Sequence, residues 1–189
     1  MRNRIGEMSR KTKETDINVK INLDGTGKYE ISTGIGIFDH FLSAFALHGG
    51  FDLEVKASGD LHIDAHHTVE DTGIVLGLAF RAALESFAGI NRFGQRFLPM
   101  DEALVCAVAD ISGRPFLVCK NLKGDKYLTR EFLRAFAYNA EITLHTSVVY
   151  GDNAHHIHEA LYKALARALR EAIQPTSDGF SPLSTKGVL

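Results

Sequence analysis

The sequence predicts an α+β protein built from two copies of one β-β-α-β-α unit, each copy a small sheet with helices on one face. Three observations carry this. Matching motifs recur in the same order at displacements of 86 to 91 residues. The apolar period changes from two to about 3.6 at the same places in each half. No Pro- or Ser-rich linker divides the halves, so the 189 residues are expected to pack as one unit, with halves near 1–93 and 94–189.

The elements follow in order. Strand, turn, strand is read over 17–23, Asp24-Gly25-Thr26-Gly27 and 29–33, with glycine supplying the dihedrals of a tight reversal. The same reading covers 104–109, Asp110-Ile111-Ser112-Gly113-Arg114 and 116–120. Asp24, Gly27 and Lys28 match Asp110, Gly113 and Arg114, each 86 residues on. A short helix comes next, residues 40–46 aligning with 131–137 at a displacement of 91. A strand over 51–57 answers one over 141–149. Each half then closes on a longer helix, one opening His66-His67-Thr68-Val69-Glu70 and the other His155-His156-Ile157-His158-Glu159, 89 residues apart. Leu76, Ala79 and Phe80 match Leu165, Ala168 and Leu169, an i, i+3, i+4 stripe that faces a core. The junction falls at 90–97, and 174–189 reads as an irregular tail. Its Ser184-Thr185-Lys186-Gly187 suits either an anion-binding end or plain surface.

Composition narrows the classes. Apolar residues make up 45% and charged residues 23%, which supports a packed core. A net charge of −2 gives no overall basic field for nucleic acid or anionic membrane, and leaves room for local positive charge at an anionic substrate. No apolar run reaches membrane-spanning length, and residues 1–13 lack the apolar core of a signal peptide. The expectation is a cytoplasmic enzyme whose two cysteines, Cys106 and Cys119, stay reduced thiols flanking the second hairpin.

Six of the nine histidines lie in or beside short acidic motifs. In His-His-x-x-Glu on a helix, the first His and the Glu are four apart and the second His and the Glu three apart, so either pair shares a face. Neighbouring histidines diverge by roughly 100° and so are not expected to serve one ion together. One such motif is more often a solvated or capping feature than a metal site. Two at equivalent repeat positions point to two ions, each taking a His and the Glu from one helix and the remaining His from the other. His40 adds a ligand to one ion, and by the repeat Glu131 stands in its place for the second. The set is His40, His66, His67, Glu70, Glu131, His155, His156 and Glu159, four per ion. Imidazole and carboxylate without thiolate suit borderline-to-hard divalent ions, manganese best, with zinc, iron and cobalt also accommodated. His145 alternates on a strand, as core histidine, ligand support or ligand. His48 and His62 stay open, and His158 is expected to face solvent.

Further stretches carry a resemblance. They include Phe38-Asp39-His40-Phe41 with His48-Gly49-Gly50-Phe51-Asp52, the run from Asp64 through Glu70-Asp71, and Ile90-Asn91-Arg92-Phe93-Gly94. Met100-Asp101-Glu102-Ala103, Asp110-Ile111-Ser112-Gly113-Arg114-Pro115, Thr143-Leu144-His145, the second His-His motif and Ser184-Thr185-Lys186-Gly187-Val188-Leu189 complete the set. In this order, over nearly the whole chain, they resemble imidazoleglycerol-phosphate dehydratase. The resemblance implies a duplicated half-domain fold, two manganese ions per site, and a homo-oligomeric shell of typically 24 subunits with sites between neighbours. It implies conversion of imidazole-glycerol phosphate to imidazole-acetol phosphate in histidine biosynthesis. Carried onto this chain, Arg92, Arg114, Lys163, Ser184 and Lys186 are the phosphate and substrate contacts, joined by His40, His48, His66 and Glu70. Glu14 is the acid/base and also meets substrate, while His67, Glu70 and Glu159 take part in catalysis. One position departs from the family pattern: many relatives have His where this chain has Glu131.

The chemistry so implied fits the ligand set. The substrate has no carbonyl to acidify the carbon–hydrogen bond that breaks, so cations at the imidazole nitrogens must favour charge on the ring as the adjacent hydroxyl leaves. A carboxylate then removes the proton from the next carbon. By residue type alone, Glu14 sits in a charged approach to a strand, which is usually solvated. A dinuclear metallohydrolase would use the same ligands and give a hydrolytic product. A metal-storage shell would turn nothing over, and a histidine-rich structural module would hold no stoichiometric metal.

Overall fold

The computed structural model describes residues 4–176; Ser184, Lys186 and the rest of the tail lie outside the described residues. The first half runs β1 (Ile5–Lys11), β2 (Thr15–Asn22), β3 (Tyr29–Ser32), α1 (Gly36–Gly49), β4 (Asp52–Gly59) and α2 (His66–Leu84). The second runs β5 (Phe93–Met100), β6 (Ala103–Asp110), β7 (Phe116–Lys120), α3 (Thr129–Asn139), β8 (Thr143–Tyr150) and α4 (Ala154–Ala172). Each half makes a four-stranded sheet, ordered β1-β2-β4-β3 and β5-β6-β8-β7. The α+β class and the duplication are as the sequence predicts.

Each half carries one strand more than apolar periodicity shows. In β1 and β5 the buried residue is a glycine, Gly6 or Gly94, so the inward face has no apolar signal to read. A Cβ at Gly6 would lie 1.9 Å from the carbonyl oxygen of Ala79, and one at Gly94 2.0 Å from that of Ala168. Glycine is therefore what lets each edge strand rest on the backbone of its long helix.

The expected hairpins are also corrected. β2 and β3 do not pair with each other; both pair with β4, which lies between them. Val55 faces Val19 across an antiparallel ladder and Ile31 across a parallel one. The 24–28 turn carries the chain over the end of β4, where the Asp52 carboxylate accepts from the N–H groups of Thr26 and Lys28. β7 reaches β8 in parallel in the same way. Cys106 pairs with Ser147 and Cys119 with Thr146, neighbours that point to opposite faces of β8. The two thiols are thus on opposite sides of the sheet, half-buried and unbonded.

Helices from the two halves share one core. α2 lies on α3 and α1 on α4, while α2 and α4 keep their other sides on their own sheets. Gly73 and Gly77 of α2 admit the α3 backbone, since a Cβ there would come within 2.8 and 2.7 Å of the carbonyl oxygens of Phe132 and Phe136. Phe38, Phe41, Phe132 and Tyr162 bury fully across the join between halves. Because each short helix packs on a long one, residues near the N-termini of α1 and α3 are held beside the His-His motifs.

Candidate metal centre

Both long helices start in the same way. The Asp64 carboxylate accepts from the N–H of His66, and the Asn153 side chain accepts from the N–H of His155, so a side-chain oxygen two residues upstream fixes each helix entry. The first histidine of each pair then stands on the face of the glutamate. His155 Nε2 lies 3.0 Å from Glu159 Oε2, and His66 Nε2 lies 3.5 Å from Glu70 Oε2. The second histidines turn away, their rings at 76° and 85° to the first.

In one half α1 completes a cluster. His40 Nε2 is 3.0 Å from Glu159 Oε2, and the His40 and His155 rings stack at 5.5 Å. One ligand atom from each of His40, His155 and Glu159 falls within 4.8 Å of the others. Burial raises the Glu159 pKa, but hydrogen bonds from Lys163 and His40 outweigh it and bring the group to about 2. A carboxylate beside two imidazoles is a donor set that fits a divalent cation.

In the other half Glu131 occupies the place of His40 with a different arrangement. Arg134 donates to Glu131 Oε2 from Nε and Nη2 at 3.1 and 2.9 Å, and Nη2 also reaches Glu70 Oε1 at 2.8 Å. Glu131 and Glu70 therefore share one guanidinium, and Glu131 does not itself touch His66.

The outward-turned histidines each find a carboxylate that sequence reasoning did not single out. His67 Nδ1 lies 2.9 Å from Asp60 Oδ2 and 3.8 Å from Glu14 Oε2. His156 Nδ1 lies 2.7 Å from Glu102 Oε2, with Asp101 3.5 Å from Nε2. These bonds raise both imidazole pKa values, lower that of Asp60, and take Glu102 to about 2. A carboxylate on Nδ1 leaves Nε2 as the ligating nitrogen. Glu14, Asp60 and His67 form the second ligand-like group among the described residues. The repeat itself holds a signal for Glu102, which lies 88 residues after Glu14 at the matching turn.

The remaining candidates separate into those near the clusters and those elsewhere. Lys163 Nζ is 2.7 Å from Glu159 Oε1. Arg92 is buried with Nε 2.6 Å from Asp110 Oδ1, and Arg114 reaches the same carboxylate at 3.6 Å from an exposed position. His48 ends α1, two turns beyond His40, where burial lowers its pKa and Lys163 and Arg167 lower it further. His62 is exposed before α2, and His145 is exposed on the outer face of its sheet. His158 does not face solvent: it is buried, with Nδ1 2.7 Å from Thr129 Oγ1 and its ring against Tyr127. Nor does a single chain gather the two His-His-x-x-Glu motifs into one site. α2 packs on α3 and α4 on α1, and the two ligand groups share no residue.

Comparison with known proteins identifies the family. A family model described as imidazoleglycerol-phosphate dehydratase matches residues 33–169. The imidazoleglycerol-phosphate dehydratase of Acetivibrio thermocellus is 55% identical, covering 97% of each chain. That of Phenylobacterium zucineum is 53% identical over 98% of this chain and 99% of its own. The crystal structure of the Pyrococcus furiosus enzyme in complex with (S)-C348 is 41% identical, covers 96% of this chain and all of its own, and superposes with a TM-score of 0.82. The Staphylococcus aureus enzyme is 36% identical over 91% of this chain and 99% of its own, with a TM-score of 0.81.

Proposed function

The chain belongs to the imidazoleglycerol-phosphate dehydratase family, hydro-lyases of histidine biosynthesis, and from that premise we propose that it converts imidazole-glycerol phosphate to imidazole-acetol phosphate with two divalent ions, manganese by preference. The observation that carries the reading is the placement of His40, His155 and Glu159 within 4.8 Å of one another. Their half-symmetric counterparts are Glu131, His66 and Glu70.

His40, His155 and Glu159 would hold one ion, and His66, Glu70 and Glu131 the other. His67 and His156, each held by a carboxylate at Nδ1, would complete the site of a neighbouring subunit, the second histidine of each helix serving the other motif's ion. This division accounts for why one chain assembles only part of each ligand set, and it makes a homo-oligomer, 24 subunits in the family pattern, part of the catalytic unit. When bound, the ions supply positive charge to the imidazole nitrogens of the substrate and so stabilise negative charge on its ring.

The chain's own groups do the rest. Glu14, exposed on the β1–β2 turn beside His67, takes the proton from the substrate carbon next to the one that loses hydroxide. The resulting enol becomes the ketone by proton transfer. Arg92 and Arg114 converge on Asp110 and face the phosphate, Arg114 being free to pair bidentately. Ser184 and Lys186 are the further phosphate contacts in this reading. Among the described residues no helix is long and apolar enough to cross a membrane, and the reading places the enzyme in the cytoplasm.

The test is a dehydratase assay with metal analysis on the same preparation. Two ions per subunit and imidazole-acetol phosphate as product support the proposal. Release of inorganic phosphate without the ketone assigns the centre to a hydrolase, and stoichiometric metal without turnover assigns it to storage.

A further inference from the structure

We propose that Arg10, Thr15 and Asp71 are positioning residues that lock the Glu14 turn onto the helix bearing His66, His67 and Glu70. The proposal rests on the reading of Glu14 as the acid/base group. The path is continuous. Asp71 follows Glu70 on α2 and is buried, with its Oδ2 accepting from Arg10 Nη1 and from Thr15 Oγ1, the latter at 2.5 Å. A carboxylate only accepts, so the Thr15 hydroxyl spends its proton there and accepts from Thr12 Oγ1, 3.2 Å away. Thr12 Oγ1 in turn accepts from the backbone N–H of Glu14 at 3.1 Å and of Thr15 at 3.0 Å. The ligand helix is thus tied through two hydroxyls to the main chain of Glu14, whose side chain stays 57% exposed.

The second half shows that the architecture does not need this network. Arg10 faces Ile17 across β1 and β2, and 88 residues on Leu98 faces Val105 across β5 and β6. By the same displacement Thr12 becomes Met100 and Thr15 becomes Ala103, while Asp71, 89 residues on, becomes Ala160. Leu98 packs on the apolar cluster that contains Ala160, so one half closes the same corner with hydrocarbon that the other closes with a carboxylate, a guanidinium and hydroxyls. Burying a charged pair gains little over apolar packing, and a buried carboxylate is tolerated where hydrogen bonds replace the water it has lost. What the polar version adds is direction. It fixes the turn in one geometry relative to the ligands, in the half where the turn carboxylate is Glu14. In the other half the turn carboxylate, Glu102, is held on His156 directly and needs no such anchor.

The experiment copies one half onto the other in the metal-loaded enzyme. The triple variant Arg10→Leu/Thr15→Ala/Asp71→Ala is compared with Thr15→Val, Thr15→Ser and Glu14→Gln. Each is assayed for kcat, KM, bound metal and thermal melting. The expected result is a kcat reduced roughly 10- to 100-fold in the triple variant and in Thr15→Val, since a catalytic group displaced by about 1 Å costs that much. KM and metal content stay near the parent's, and Thr15→Ser, which keeps the hydroxyl, restores kcat. Parent kcat in the triple variant and in Thr15→Val, beside an inactive Glu14→Gln, overturns the proposal alone. A fall in kcat matched by loss of bound metal also overturns it, because the network would then act on the ligands. Parent activity in Glu14→Gln removes the acid/base reading and the proposal with it. If the triple variant does not fold, the near-isosteric Thr15→Val decides.

Discussion

Removing the Glu102 carboxylate tests the assignment of His156 as a ligand. Glu102 Oε2 lies 2.7 Å from His156 Nδ1, and the bond takes the Glu102 pKa to about 2 while raising that of His156. Two consequences of Glu102→Ala oppose each other. Nδ1 loses the acceptor that fixes its proton and the ring's orientation, which weakens the ion held by Nε2 roughly 10- to 100-fold. The His156 pKa also falls toward its ordinary value, so protons compete less with metal. The comparison is made at about pH 8 and about pH 6: as pH rises above the His156 pKa the imidazole loses its proton and the full loss of affinity emerges, while as pH falls through the raised pKa the parent group takes up a proton and the gap narrows. Glu102→Gln keeps an acceptor without the charge and should retain much of the affinity. The assay is calorimetric titration of manganese into chelated protein at both pH values, with melting curves to show that the fold is intact. Unchanged binding steps in Glu102→Ala at about pH 8 would refute the reasoning, because His156 would then owe nothing to the carboxylate.

Other outcomes follow from the same geometry. Glu131→Ala should weaken one of two metal-binding steps by roughly tenfold or more, and Glu131→His should largely restore it; two unchanged steps in the alanine variant end the ligand assignment. His67→Ala should lower bound metal and abolish turnover, an expectation that elemental analysis showing two retained ions with full activity would remove. If subunits complete one another's sites, complete chelation should shift the particle toward smaller species in sedimentation, and an unchanged large particle counts against that. Gly6→Ala places a methyl 1.9 Å from the Ala79 carbonyl oxygen and must push β1 off α2. The cost is about 3 kcal/mol in urea unfolding, and a parent-like midpoint disproves the close contact.

Helical geometry is local, and so the shared face of histidine and glutamate in each motif was legible from spacing alone. A His-His-x-x-Glu segment puts one histidine on the glutamate's face wherever the helix lies, and a repeat displaced by about ninety residues says there are two such helices. The α+β class and the matching of Glu131 to His40 were legible for the same reason. What spacing leaves open is which histidine takes that face. The packing of α1 on α4 decides for His155 by bringing His40 within 3.0 Å of Glu159. Asp60 and Glu102 reach their histidines from separate turns, Glu102 across 54 residues, a relation that no local period encodes. β1 and β5 escaped because their inward residues are glycines, which carry contact without hydrophobicity. His158 escaped because its burial depends on Tyr127 and Thr129, brought to it by the neighbouring short helix and its loop. Sequence determined the repeat, its helices and the residue types they carry, since these depend on neighbours along the chain; tertiary structure decided the edge strands, orientation and partnership, since those depend on groups that only folding makes adjacent.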